Sequence, residues 1–358
     1  MEEKITYAKK PQGNEPWDVV IVGSGPAALT AAIYTTRGAA STLILGGAKW
    51  GGQLMLTTDV DNFPGFPGGV QGPELMNKMK TQAERFGAEF VAGDVQSVDF
   101  SSKPFKLNTN GDTYLAKSVI IATGADTKWL GVPGEDKLRG RGVSSCAPCD
   151  APFFKDKKVA VVGGGDSAME EALVLTKYSP QVSIIHRKDE LRASQAMQKK
   201  VLEDEKIKVI WSTQVVEMLG DKLLSSIRLK TSSDSKYASE IKEKIPTEYG
   251  GKLLEEKDGE FYWEIPMEGL FVAIGHTPAT SIFKDVITLD EWNYVKKVEH
   301  KHVGNEVEPF NTSTSIKGVF VAGDVHDYHY KQAVTAAGFG CMAGMDALTY
   351  LDKPVQSW

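Results

Sequence analysis

The chain is poor in cysteine, has no long apolar run, and carries no strong excess of either charge. Three cysteines occur among 358 residues, Cys146, Cys149 and Cys341, too few for a secreted disulfide framework. No apolar stretch reaches the roughly 18 residues of a membrane-spanning segment, so none is expected. The opening Met1-Glu2-Glu3-Lys4-Ile5-Thr6 lacks the apolar core of an export signal, and a cytoplasmic location is expected. Lys and Arg number 41 against 47 Asp and Glu, for a net charge of −6. That balance argues against general nucleic-acid binding and against a clamp on anionic membranes. The 35 glycines have no collagen-like period, so they should mark tight turns and close backbone approaches.

What is present is ordinary globular composition, 41% hydrophobic and 25% charged, in a length that suggests about two domains. After a polar arm over 1–16, Trp17 to Val22 reads as a buried strand. It runs into Gly23-Ser24-Gly25-Pro26-Ala27-Ala28 and a helix to about Arg37; Ser41 to Leu45 is the next strand. Pro73 to Phe86 reads as a helix, and Ser118 to Gly124 as another buried strand. The β-α-β pattern restarts in mid-chain. Lys158 to Val162 is a strand, Gly163-Gly164-Gly165-Asp166-Ser167-Ala168 follows, then a helix to about Leu175 and the strand Val182 to Ile185. This is duplication of a domain type, not a short solenoid repeat. Residues 231–259 turn polar and read as an extended surface hairpin or a loop; 296–311 are polar again. Gln332 to Tyr350 reads as a long helix rich in Ala and Gly.

Both glycine turns have dinucleotide spacing. In the first, Gly23 permits the sharp turn, Gly25 lets backbone approach a pyrophosphate, and Ala28 lets helix and strand pack closely. Pro26 suits a first helical turn. Where an acidic residue would hold a ribose, the chain has Leu45-Gly46-Gly47. The second turn, Gly163, Gly165 and Ala168, leads instead to His186-Arg187-Lys188 and Arg192. Cations at that point suit the 2′-phosphate of NADPH better than the free hydroxyl of NADH; the bland reading is a solvated strand end. Cys146-Ala147-Pro148-Cys149-Asp150 precedes this unit. Two thiols at that spacing suit redox chemistry or half of a zinc site, and the other half is missing, so no metal is expected. Cys341 is expected to be a packed helix residue. Asp324, after Gly323, either bonds a ribityl hydroxyl or merely caps a turn, and the helix opening near Gln332 could face a flavin.

Together these motifs resemble the low-molecular-weight thioredoxin reductases, a family that uses FAD and NADPH. The match runs from about Trp17 to Asp352. Further motifs carry it: Gly51-Gly52-Gln53-Leu54, Asp61-Asn62-Phe63-Pro64-Gly65, Ala122-Thr123-Gly124-Ala125, Phe271 to His276, and Gly323-Asp324-Val325. The resemblance implies an α/β fold of two Rossmann-like, doubly wound dinucleotide-binding domains, the second inserted in the first. A discontinuous FAD domain would span 1–126 and 267–358. An NADPH domain with the cysteine pair would span 127–266, with 231–259 as a surface insertion longer than the family norm. For FAD it implies Gly23, Gly25, Pro26, Gly52, Gln53, Asn62, Val95, Thr123, Asp324, Lys331, Gln332 and Ala333. For NADPH it implies Gly165, Asp166, Ser167, His186, Arg187, Lys188, Arg192 and Ile274.

The implied chemistry passes hydride from NADPH to the flavin and electrons on to a Cys146–Cys149 disulfide, Cys149 being the flavin-side sulfur. The domains then rotate, Cys146 attacks the disulfide of thioredoxin or a thioredoxin-like protein, and Cys149 resolves the mixed disulfide. Asp150 would serve the thiols as proton donor or acceptor, or else cap a helix. Arg139, Arg141, Phe153 and Phe154 are candidates for docking the partner, and a homodimer is implied. Lys188 and Lys331 stand where arginines are usual, Pro148 lies inside the redox turn, and Ala151 replaces a common Gly. Lysine keeps the charge and loses the bidentate fork. Two other readings remain at this point. One is a dithiol oxidase, or a reductase fed by another donor such as ferredoxin. The other is a flavin-binding interaction protein with a regulatory disulfide.

Overall fold

The computed structural model describes residues 8–57, 59–298 and 310–352. The start of the polar arm and 299–309 of the polar stretch 296–311 lie outside them. The chain divides into two compact units, residues up to Asp126 together with those from Thr277, and Thr127–His276 between. The fold class is α/β, and each unit is built around a sheet of parallel strands.

In the first unit, Trp17–Val22, Thr42–Leu45 and Thr113–Ile121 pair in parallel, and Val319–Val321 joins Thr113–Ile121, also in parallel. Val19, Val20 and Ile21 are fully buried, as expected of parallel strands covered on both faces. Helix Pro26–Arg37 starts on Gly25 with proline in its first turn, where the missing N–H is not needed. Helix Ala333–Tyr350 owes its small residues to that neighbour. A Cβ on Gly340 would stand 2.1 Å from the carbonyl oxygen of Ala27, so the two helices approach at backbone distance.

The second unit is built on a five-stranded parallel sheet ordered Val143–Ser144, Gly269–Val272, Lys158–Val162, Gln181–Ile185, Ile207–Ile210. The return crossing therefore falls between His276 and Thr277, not at 267. Gly269–Val272 pairs along Lys158–Val162 and cannot belong to the first unit's sheet.

The polar segment 231–259 also differs from expectation. It contains helix Ala238–Thr247 and strand Lys252–Lys257, which pairs antiparallel with Glu260–Pro266. The helix buries Ala238, Ile241 and Ile245 in a cluster with Phe261 and Trp263. The hairpin exists, but a packed helix precedes it.

Candidate active site

All parallel strands of one sheet end at the same edge, and ligands of open α/β sheets bind there. In the first unit that edge gathers the loops after Val22, Leu45, Ile121 and Val321. Gly23 has φ +120°, and a Cβ there would stand 2.1 Å from the Ala122 carbonyl oxygen, so only glycine fits. Nothing lies within 4 Å of a Cβ built on Gly25, which leaves that side of the turn open. Gly52 approaches it, its Cβ position 3.8 Å from the Gly25 Cα. Ser24, which carries no signal in the motif, ties the loops together. Its hydroxyl donates to the Gly46 carbonyl at 2.6 Å and accepts from Gly51 N at 2.9 Å.

The other residues assigned to FAD fall in this unit as well. Gln53 Nε2 donates to Asp126 Oδ1 at 3.2 Å, and Asn62 Nδ2 to Gln332 Oε1 at 3.1 Å. Thr123 Oγ1 donates to the Ala279 carbonyl at 2.7 Å. Gln332 caps helix Ala333–Tyr350, and Lys331 N donates to Asp327 Oδ2 at 3.4 Å. Val95 opens the strand Val95–Asp99, next to Asp94, whose carboxylate accepts from Ala48 N at 3.0 Å. Asp324 is the most telling. Its Oδ1 is buried with no hydrogen-bond partner among the described residues. Burial, with the charge of Asp327 behind it, pushes this carboxyl up to about 6 against the opposing Lys331. An orphaned acceptor beside an open glycine turn fits a hydroxyl-bearing dinucleotide.

In the second unit the glycine turn follows Lys158–Val162. A Cβ on Gly163 would meet the Ala273 carbonyl oxygen at 2.5 Å; Gly165 caps helix Asp166–Leu175 and has nothing within 4 Å of its Cβ position. Asp166 is exposed at the start of that helix, with one carboxylate oxygen engaged. Its Oδ1 accepts from the backbone and hydroxyl of Ser194 at 2.9 and 2.7 Å, and those bonds hold its carboxyl below the usual range. Ser167, Arg187, Lys188 and Arg192 are exposed, while His186 is buried. The His186 ring fills the face of Gly164, and its Nε2 pairs with the Glu190 carbonyl at 2.9 Å. Burial lowers its pKa, so it is neutral at pH 7, and the exposed charges of this loop are Arg187, Lys188 and Arg192 with Asp189 and Glu190. Ile274, 36% exposed, follows Gly269–Val272 on the same edge.

The cysteines end the outermost strand of that sheet. Cys146 and Cys149 form a disulfide, with Cα atoms 5.3 Å apart. Cys149 N and Asp150 N both donate to the Cys146 carbonyl, at 3.2 and 3.1 Å, closing the turn. Pro148 sits in the first turn of helix Ala147–Asp150, so its missing donor forfeits no bond. Asp150 is held by Ser144, whose Oγ donates to Asp150 Oδ2 at 2.5 Å and accepts from Cys146 N at 3.1 Å. Burial raises the Asp150 pKa, and the Ser144 bond offsets part of the rise. Ala147 N donates to Glu171 of helix Asp166–Leu175, the helix that carries the glycine turn. Ser144 and Glu171 have no motif in the sequence; only the three-dimensional neighbourhood brings them to the pair.

Of the docking candidates, Phe153 is 46% exposed, whereas Phe154 is buried edge-on to Phe271 at 5.1 Å. Phe154 is therefore core. Arg139 lies over Trp129 at 4.1 Å and pairs with Asp136 at 2.8 Å; Arg141 is exposed.

The pyridine nucleotide-disulphide oxidoreductase family matches residues 17–340. The chain belongs to that family. A thioredoxin reductase of Streptomyces coelicolor is 45% identical over 336 residues, 93% of this chain and 94% of that protein. Solved thioredoxin reductases from Giardia duodenalis and Streptococcus pyogenes superpose with TM-scores of 0.79 and 0.80, at 38% and 34% identity. They cover 93% and 95% of this chain and 98% and 99% of theirs. The thioredoxin reductases of this family use FAD and NADPH. The residues assigned to FAD all lie in the first unit, and those assigned to NADPH lie with the disulfide in the second.

Proposed function

We propose that this chain reduces the disulfide of thioredoxin or a thioredoxin-like protein, drawing electrons from NADPH. The carrying observation is that one parallel sheet presents, on one edge, a disulfide, an open glycine turn and an exposed cationic strand end. FAD would be held by Gly23, Gly25, Pro26, Gly52, Gln53, Asn62, Val95, Thr123, Lys331, Gln332 and Ala333, with Asp324 accepting from a ribityl hydroxyl. Gly165, Ser167, Arg187, Lys188, Arg192 and Ile274 would line the NADPH site. Asp166, exposed at the turn, would join them while its Oδ1 anchors Ser194, and His186 acts behind them, supporting Gly164. When bound, the flavin relays two electrons from the nicotinamide to the disulfide.

The remaining steps belong to the chain's own residues. Opening the Cys146–Cys149 bond yields two thiols, and Asp150, kept above the usual carboxylate range by burial, supplies and later takes the proton. The Cys146 thiolate attacks one sulfur of the partner's disulfide, and the partner's other sulfur leaves as a thiolate. Cys149 then attacks Cys146 Sγ, which re-forms the original disulfide and frees the partner as a dithiol. Arg141 and Phe153 remain as docking residues. A homodimer in the cytoplasm is the setting we infer from the family; no helix among the described residues is long and apolar enough to cross a membrane. A donor such as ferredoxin, or a dithiol oxidase, would leave the three cations without a task.

The test is a trapping experiment. Cys149→Ser keeps the attacking sulfur and removes the resolving one, so incubation with thioredoxin disulfide, quenched with an alkylating agent that blocks the partner's freed thiol, should give a mixed disulfide on a non-reducing gel. Cys146→Ser should give none. Trapping by Cys146→Ser, or by neither variant, would sink the assigned roles.

A further inference from the structure

The segment 231–259 has no part in the reaction above, yet its helix begins beside the nucleotide edge. Ser212 N donates to the Lys188 carbonyl at 3.0 Å, and Ser232 N to the Ser212 carbonyl at 3.4 Å. Tyr237, the residue before helix Ala238–Thr247, stacks on Trp211 with ring centroids 5.6 Å apart and planes 18° from parallel. Trp211 in turn meets His186 edge-on at 6.4 Å, and the His186 ring lies against Gly164 of the glycine turn. Lys236 Nζ stands 5.0 Å from the Tyr237 ring centroid and 3.8 Å from Asp189 Oδ2. A continuous series of ring and backbone contacts therefore joins the segment to the turn, all within the second unit.

The charges along this series give it a purpose. Arg187, Lys188 and Arg192 are exposed on the strand end, and Asp189 is exposed in the same loop. A carboxylate there repels a phosphate dianion, and a cation beside it offsets that repulsion. Lys236 is that cation, and burial of Ala238, Ile241 and Ile245 fixes the helix that presents it. The Trp211–Tyr237 stack fixes the first turn and leaves the ammonium at the surface.

We propose that Lys236 is a specificity-determining residue for NADPH over NADH, brought to the ribose-phosphate end of the site by the helix of the 231–259 segment. The proposal rests on the reading that Arg187, Lys188 and Arg192 receive the 2′-phosphate.

The test is calorimetric titration of the purified flavoprotein at low ionic strength, with adenosine 2′,5′-bisphosphate and with adenosine 5′-monophosphate, which lacks the 2′-phosphate. Lys236→Ala should weaken the bisphosphate about threefold, the size of one exposed charge interaction, and leave the monophosphate within error. Lys236→Glu should weaken it further, on the order of tenfold, and added salt should shrink both effects. No change, or equal weakening of both probes, overturns the proposal. Arg187→Ala separates the two levels. If it weakens the bisphosphate while Lys236→Ala does not, only the role of Lys236 falls. If neither variant affects the bisphosphate, the 2′-phosphate reading falls too.

Discussion

Asp150 and Asp324 are both carboxyls pushed upward mainly by burial, and the two shifts serve different ends. Asp150 lies beside the disulfide, where a group that holds its proton closer to neutrality can pass it to a departing thiolate. Asp150→Asn should therefore lower thioredoxin turnover on the order of a hundredfold while the disulfide still forms. A loss of less than a few fold would make Asp150 only part of the turn's hydrogen bonding. At Asp324 the sign follows from linkage. A carboxyl at about 6 is ionised above that value and protonated below it. A ribityl hydroxyl that donates to the carboxylate favours the ionised form. Binding of FAD to the apoprotein should then weaken as pH falls through about 6, by up to roughly tenfold per pH unit for one proton. Asp324→Asn should bind more weakly at neutral pH and lose most of that slope. An unchanged slope in the variant, followed by flavin fluorescence, would remove the assignment.

Helix Ala333–Tyr350 shows how a composition signal becomes a packing constraint. Gly340 faces the Ala27 carbonyl at a distance that admits no Cβ. Gly340→Val should cost about 2 kcal/mol through forced separation of the helices and lower the melting temperature by several degrees; a variant as stable as the parent would mean that the pair can part freely. Much of this architecture is legible in the chain. Val19 to Val22 is an uninterrupted buried run, and Gly23 declares its turn because φ +120° and the Ala122 carbonyl exclude a side chain, while Gly25 and Gly165 leave open space beside theirs. Other elements are not legible, for identifiable reasons. Ala238, Ile241 and Ile245 have helical spacing, but Lys and Glu dilute it, and Pro246 sits in the last turn. What stabilises that helix is Trp263 and Phe261, supplied from another strand. The run Gly269–Val272 would suit either sheet, and only its pairing with Lys158–Val162 assigns it. Ser144 and Glu171 reach the cysteine pair from a two-residue strand and a helix face, relations that local spacing does not encode.

Across the whole chain, the two units divide the work. One holds the open turn with the orphaned Asp324 acceptor. The other holds the disulfide, the second turn and the cations. The three cysteines separate in the same way: Cys341 is a free thiol in helix Ala333–Tyr350 of the first unit, its sulfur 3.9 Å from that of Met345, and the pair belongs to the second unit. The net charge of −6 says little about this division, because the cations that matter occupy one strand end. Electrons must pass from NADPH through the flavin and the Cys146–Cys149 pair to a partner's disulfide. Anaerobic titration of the flavin-loaded protein with NADPH, followed by addition of thioredoxin disulfide, tests that path most directly. NADPH should bleach the flavin absorbance at lower concentration than NADH does, and thioredoxin disulfide should restore it. A flavin that stays oxidised with NADPH, yet is bleached by a dithiol, would contradict the account.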